Sequence, residues 1–111
     1  MPLVMRIRRI HHLTVAVRDA ERARETFAAL FAARSDEPRE IQAFGVRTCD
    51  LELGGDVLQL AAPIGPESPI TRFIERKGEG FYNLALEVDD LDAAVAELAE
   101  RGIKVSDPIE A

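Results

Sequence analysis

Short alternating apolar–polar runs give way twice along the chain to helical stripes, and this doubled pattern predicts the elements. Residues 10–17, Ile-His-His-Leu-Thr-Val-Ala-Val, alternate and are rich in β-branched side chains, which predicts a strand. Alternation sends Leu13, Val15 and Val17 to one face and Ile10, His12, Thr14 and Ala16 to the other, with His11 opposite His12. Asp19 stands where a carboxylate can accept from the free amides of a first helical turn. The helix it opens runs over about 20–33, is rich in Ala, Arg and Glu, and carries Ala23, Phe27, Leu30 and Phe31 on one stripe. Residues 35–39 read as a polar loop.

A hairpin follows, about 44–53 and 56–62, joined by Gly54-Gly55, a pair suited to a tight turn that needs positive φ. A two-residue loop sets Leu53 against Asp56, Leu51 against Leu58 and Asp50 against Gln59. That register puts Cys49, Leu51, Leu53, Leu58, Leu60 and Ala62 on one face. Thr48, Asp50, Glu52, Val57, Gln59 and Ala61 take the other, so one side is core and one a polar concavity. Residues 63–69 form a Pro/Gly loop. Ser68-Pro69 then caps and opens a short helix, 70–77, which Gly78 closes. After Gly80 the opening pattern returns: a strand over 81–88, Asp90 as cap, and a helix over 91–101 with Leu91, Ala94, Val95 and Leu98 as its buried stripe. Gly102 stops this helix, and 103–105 read as a short strand.

Residues 10–31 and 81–102 superpose without a gap at an offset of 71, matching at Leu13/Leu84, Val17/Val88, Asp19/Asp90, Ala23/Ala94 and Ala28/Ala99. An internal repeat of this size points to two modules side by side. A doubly wound parallel sheet fits less well, because the chain has a Gly-Gly hairpin and no glycine-rich phosphate loop.

The strand at 10–17, the hairpin and the connector Ser-Pro-Ile-Thr-Arg-Phe-Ile-Glu-Arg-Lys-Gly-Glu-Gly at 68–80 resemble the vicinal oxygen chelate (glyoxalase/bleomycin resistance/dioxygenase) superfamily. The connector followed by Val88-Asp89-Asp90-Leu91 is most similar to its methylmalonyl-CoA epimerase branch. The resemblance implies an α+β fold of paired βαβββ modules whose curved sheets form a cup with a divalent metal at the bottom. On this chain it implies module one at about 8–63, a connector helix at 68–78 and a shortened module two at about 81–111.

Carried over residue by residue, the resemblance makes His12 and Gln59 metal ligands, and the face assignment independently sends both to the cup side. The family's second histidine falls on Asn83, the repeat partner of His12, whose amide oxygen suits a borderline divalent ion less well than imidazole does. The ligand glutamate of the last strand has no counterpart, and the catalytic glutamate falls on Ala43. The implied cofactor is therefore a divalent metal (Co, Ni, Zn or Mn) at an incomplete site. Asp50, across from Gln59, is the local alternative as a metal ligand or proton acceptor, and Asn83 and Thr14 are ligand-binding candidates. Epimerisation beside a thioester needs enolate stabilisation and a base, and a base alone contributes about 10²–10⁴ in rate. These departures favour a small-molecule-binding homologue whose ligand is an acyl-CoA or other carbonyl compound. The alternative is an active metal-dependent isomerase or lyase moving a proton next to a carbonyl.

Composition narrows the partners. The 111 residues carry 47% apolar and 31% charged side chains, which suits one globular domain. Fourteen Lys+Arg against twenty Asp+Glu give a net charge of -6, which argues against a nucleic-acid or anionic-membrane partner. Arg6, Arg8 and Arg9, with Arg72, Arg76 and Lys77, are the basic clusters and could meet the phosphates of a CoA-type ligand. Cys49 is the single cysteine, which excludes a disulfide framework, and it reads as a small core residue. No apolar run reaches membrane-spanning length and none forms a signal core, so a cytoplasmic protein is expected. A shortened second module leaves an open sheet edge, which predicts a homodimer covering it.

Overall fold

The computed structural model describes residues 5–106. Six strands and three α-helices follow one another as β1 (Ile7–Ala16), α1 (Ala20–Phe31), β2 (Arg34–Ser35), β3 (Arg39–Ile41), β4 (Val46–Leu53), β5 (Asp56–Pro63), α2 (Pro69–Lys77), β6 (Gly80–Val88) and α3 (Leu91–Glu100). A single 3-10 turn, Gln42–Phe44, links β3 to β4. The strands form one mixed sheet ordered β2-β4-β5-β1-β6, with β3 also pairing β4. β1 runs parallel to β5 and antiparallel to β6.

Local chemistry accounts for the element ends. Asp19 and Asp90 each accept from the backbone N–H three residues on, at 3.0 Å. Ser68 accepts from Ile70 N–H, and Pro69, which has no N–H of its own, sits in the first turn of α2. The hairpin closes through Gly54 and Gly55, both at positive φ, in the expected register, with Asp50 opposite Gln59 and Leu53 opposite Asp56.

The β4–β5 face assignment holds, and the two faces have different covers. On the outer face α1 lays Ala20, Ala23, Phe27 and Ala28 against Val15, Val17, Leu51, Leu58, Leu60 and Ala62. On the inner face α2 closes one end, packing Ile70 and Ile74 with Ala16, Val46 and Ala61. Phe73 and Tyr82 meet edge to face there, 5.0 Å apart.

The β1–β6 register is the one the 71-residue repeat demands. Leu13 faces Leu84, its own repeat partner, while the pairs His12–Ala85 and Thr14–Asn83 exchange under the repeat. A local two-fold axis therefore passes between Leu13 and Leu84, and positions 12 and 83 come out on the same face.

Several sequence expectations need correction. β1 begins at Ile7, and the ladder slips between Ile10 and His12, so the chain holds one extra residue there. Such a bulge cancels strict alternation. Ile10, paired with Leu86, joins the outer face, and His11 turns to the inner side with His12. The expected loop at 35–39 ends in two short strands, β2 and β3, because the outer edge of β4 offers a free ladder to both. Asp36, between them, is bonded to β4: its carboxylate accepts from Asp50 N–H at 2.9 Å, and its own N–H donates to the Asp50 carbonyl.

Leu30 and Phe31 stay more than half exposed, Phe31 only stacking on Phe27 at 5.8 Å between ring centroids, because the helix stops at Ala32 in a left-handed cap. On α3, Leu91 is 58% exposed while Ala94 and Glu97 are buried, and Glu97 accepts from the Met5 N–H at 2.7 Å. Residues 103–105 form no strand; Ile103 and Val105 are exposed, with no ladder partner among the described residues. The radius of gyration, 15.7 Å, exceeds the roughly 13 Å of a compact domain this size, as an open second half requires.

Candidate functional site

The inner face of the sheet forms a cavity of about 570 Å³, closed at one end by α2. Ladder pairs set its floor in rows. One row runs Asp50, Gln59, Thr14, Asn83 across β4, β5, β1 and β6. The adjacent row is Arg39, Thr48, Ala61, Ala16, Gly80. The structure thus gathers every sequence-derived site residue, His12, Thr14, Asp50, Gln59 and Asn83, on one wall.

The polar row is hydrogen-bonded in one direction. Thr14 Oγ1 donates to Gln59 Oε1 at 3.3 Å, and Gln59 Nε2 donates to Asp50 Oδ1 at 3.2 Å. An ionised carboxylate only accepts, so Gln59 must turn its NH2 toward Asp50 and its carbonyl toward Thr14. Asp50 is held from behind by Asp36 through the backbone, which fixes the floor at that point.

His11 and His12 stand with their Nδ1 atoms 2.8 Å apart and their rings edge to face. One imidazole donates and the other accepts, so this contact carries a single proton between the two nitrogens. Burial lowers the pKa of His12 from its ordinary value, the neighbouring His11 lowers it further, and Asp50 acts in the opposite sense. Burial and His11 thus favour the neutral form of His12.

The divalent metal implied by the family resemblance meets a poor donor set. No three His, Cys, Asp or Glu side chains converge as ligands among the described residues. Asn83 offers an amide where an imidazole would serve, and the Gln59 carbonyl is engaged by Thr14. The residues do not fit the family's ion in this arrangement. Ala43 lies in the exposed 3-10 turn beside Phe44, which lines the cavity rim.

Sequence reasoning missed several lining residues, four of them polar or aromatic. His11 enters through the bulge, which leaves no periodic trace, and Arg39 comes from a strand read as loop. Tyr82 turns inward at the last of three slips in the β1–β6 register, between the Thr14–Asn83 and Val15–Phe81 pairs. Phe44 reaches the rim on the 3-10 turn. Cys49, as expected, is core: it faces away from the cavity, its thiol donates to the Asp36 carbonyl, and burial pushes its pKa up to about 11. A second hollow of about 530 Å³ lies on the outer face beside α1, lined by Val17, Phe27 and the exposed Arg18–Glu79 ion pair. None of the site chemistry converges there.

A model of the Glyoxalase/Bleomycin resistance protein/Dioxygenase superfamily matches residues 11–111. The chain belongs to this superfamily. Among its relatives, the mitochondrial methylmalonyl-CoA epimerase of Bos taurus is 33% identical over 92% of this chain and 59% of its own length. The Ethylmalonyl-CoA/methylmalonyl-CoA epimerase of Cereibacter sphaeroides is 31% identical over 89% of this chain and 75% of its own. The chain thus spans somewhat more than half the length of the mammalian relatives it matches.

Among solved structures, methylmalonyl-CoA epimerase from Mycobacterium tuberculosis superposes with a TM-score of 0.85 at 26% identity, covering 94% of this chain and 71% of that one. The Streptomyces coelicolor epimerase in complex with 2-nitronate-propionyl-CoA gives 0.83 at 25% identity, covering 89% and 75%. The α+β, glyoxalase-like fold expected from the superfamily is thereby shown, over part of those structures' length. No helix among the described residues is long and apolar enough to cross a membrane.

Proposed function

We propose that the cavity binds a small carbonyl compound of the acyl-CoA class, as a superfamily member whose catalytic set is incomplete. The observation that carries this reading is the Thr14–Gln59–Asp50 hydrogen-bonded row, with His12 and Asn83 beside it, on the wall of a single cavity of about 570 Å³. Pre-formed pockets with a few convergent polar groups on a largely apolar lining are the ordinary form of small-ligand sites. The His12 imidazole and the Asn83 amide both carry N–H groups able to donate to a carbonyl oxygen, and an epimerase of similar fold is known in complex with methylmalonyl-CoA. The missing base at Ala43 and the ill-fitting metal donors favour binding over turnover. A cytoplasmic protein, with a second copy covering the free edge of β6, belongs to the same reading.

The test is calorimetric titration with methylmalonyl-CoA, followed by incubation of the complex in D2O. Saturable binding is expected, weakened about tenfold by His12→Ala and by Asn83→Ala, as for the loss of one ligand hydrogen bond of about 1.4 kcal/mol. No exchange of the C2 proton above the enzyme-free rate is expected. Absence of saturable binding contradicts the proposal. Protein-dependent exchange favours instead the isomerase reading, with Asp50 as the proton acceptor.

A further inference from the structure

We infer that Arg39 and Thr48 form an anion subsite at one edge of the cavity, taking a carboxylate or phosphate group of the ligand. This rests in part on the proposed binding function and specifies the ligand's second functional group.

Two observations meet at this position. Arg39 lines the cavity and, among the described residues, makes no ion pair and no side-chain hydrogen bond. The neighbouring arginines differ: Arg47 is held by Glu21 and Glu40, and Arg24 by Glu37. Arg34 and Arg76 also make no ion pair among the described residues, so what distinguishes the exposed Arg39 is its place on the cavity wall across from Thr48. Directly across the β3–β4 ladder stands Thr48, only 2% exposed, whose Oγ1 is buried without a partner. An unsatisfied buried hydroxyl is costly, and natural proteins rarely keep one without a use.

Thr48 also lines the cavity, and among the described residues nothing occupies its hydroxyl. A guanidinium and a hydroxyl on adjacent strands of one face supply donors without a matching acceptor, which is anion-binding chemistry. The rest of their row, Ala61, Ala16 and Gly80, is small and leaves the floor open beside them. Asp50, two residues from Thr48 on the same face, borders the subsite, so the Arg39 guanidinium must outweigh it, and it bounds the subsite on the side toward Gln59.

The small-anion probe is malonate, read on the Arg39 Nε–H resonance of the intact chain. Saturable movement is expected, with affinity falling about tenfold in Arg39→Gln. Thr48→Val should lower malonate affinity several-fold while raising Tm by a few degrees, because it removes the unpaired hydroxyl at nearly constant shape. A resonance that ignores malonate, or malonate affinity unchanged in Arg39→Gln, overturns the subsite. The source of the anion is read from methylmalonyl-CoA, propionyl-CoA and free coenzyme A. If Arg39→Gln weakens methylmalonyl-CoA alone, the group is the acyl carboxylate; if it weakens all three, it is a carrier phosphate. Malonate binding at Arg39 with no uptake of any CoA compound leaves the subsite standing and overturns the proposed function.

Discussion

The two halves of the repeat obey the same local rules and reach different degrees of burial. In the first half, β1 feeds α1 through the Asp19 cap, and the helix covers the far end of the strand, leaving Val17 5% and Ala20 1% exposed, although Leu13, across from Leu84, is still 40% exposed. In the second half, β6 feeds α3 through the Asp90 cap with the same geometry, yet Leu84 is 43%, Leu86 45% and Leu91 58% exposed. The difference lies in the neighbours. β1 has β5 on one side and β6 on the other, whereas β6 ends the sheet among the described residues. Caps and propensity are enough to form a strand and a helix, but burial needs a second layer and a flanking ladder. The functional wall straddles this divide: His12, Thr14, Asp50 and Gln59 stand on the packed half, and Asn83 alone comes from the open one.

The largest effect that separates the halves is on stability. Leu51→Ala should cost about 2–5 kcal/mol, the range for emptying a closed core site, while Leu84→Ala should cost less than about 1 kcal/mol. Urea midpoints at constant slope measure both. Equal costs would mean that the outer face of β6 is covered in solution, and the contrast between the halves would fall.

A smaller effect sharpens the site itself. His12 has its pKa lowered from the ordinary 6.5, first by burial and then by His11. Below that ordinary value the unfolded chain takes up a proton that folded His12 refuses, so stability falls as pH drops through 6.5 toward the lowered pKa, and this contribution is flat above it. His11→Ala should raise the His12 pKa and Asp50→Asn should lower it, read from the imidazole resonances against pH. Shifts of the opposite sign would break the inward pairing of His11 with His12 and the placement of Asp50 near them.

The parts legible in the sequence are those set by short-range chemistry. Gly54-Gly55 defines the hairpin register, and with it the meeting of Asp50 and Gln59 and the division of β4 and β5 into core and cavity faces. Asp19, Ser68 and Asp90 mark the helix starts because a cap side chain meets its N–H within three residues. The 71-residue repeat anticipates that His12 and Asn83 share a face, which the Leu13–Leu84 register realises. What could not be read depends on partners distant in sequence. The slip at His11 belongs to the β1–β6 pairing, and β2 and β3 exist only because β4 presents a free edge. The apolar stripe of α3 is real as a pattern, but nothing among the described residues receives Leu91.

The central claim is that repeat partners from a packed and an open half of the sheet make one binding wall. The direct measurement is a titration with methylmalonyl-CoA that follows the His12 imidazole and the Asn83 side-chain amide in the same spectra. Both resonances should move with a single shared midpoint. Movement of His12 while Asn83 stays fixed, or two separate midpoints, would contradict it.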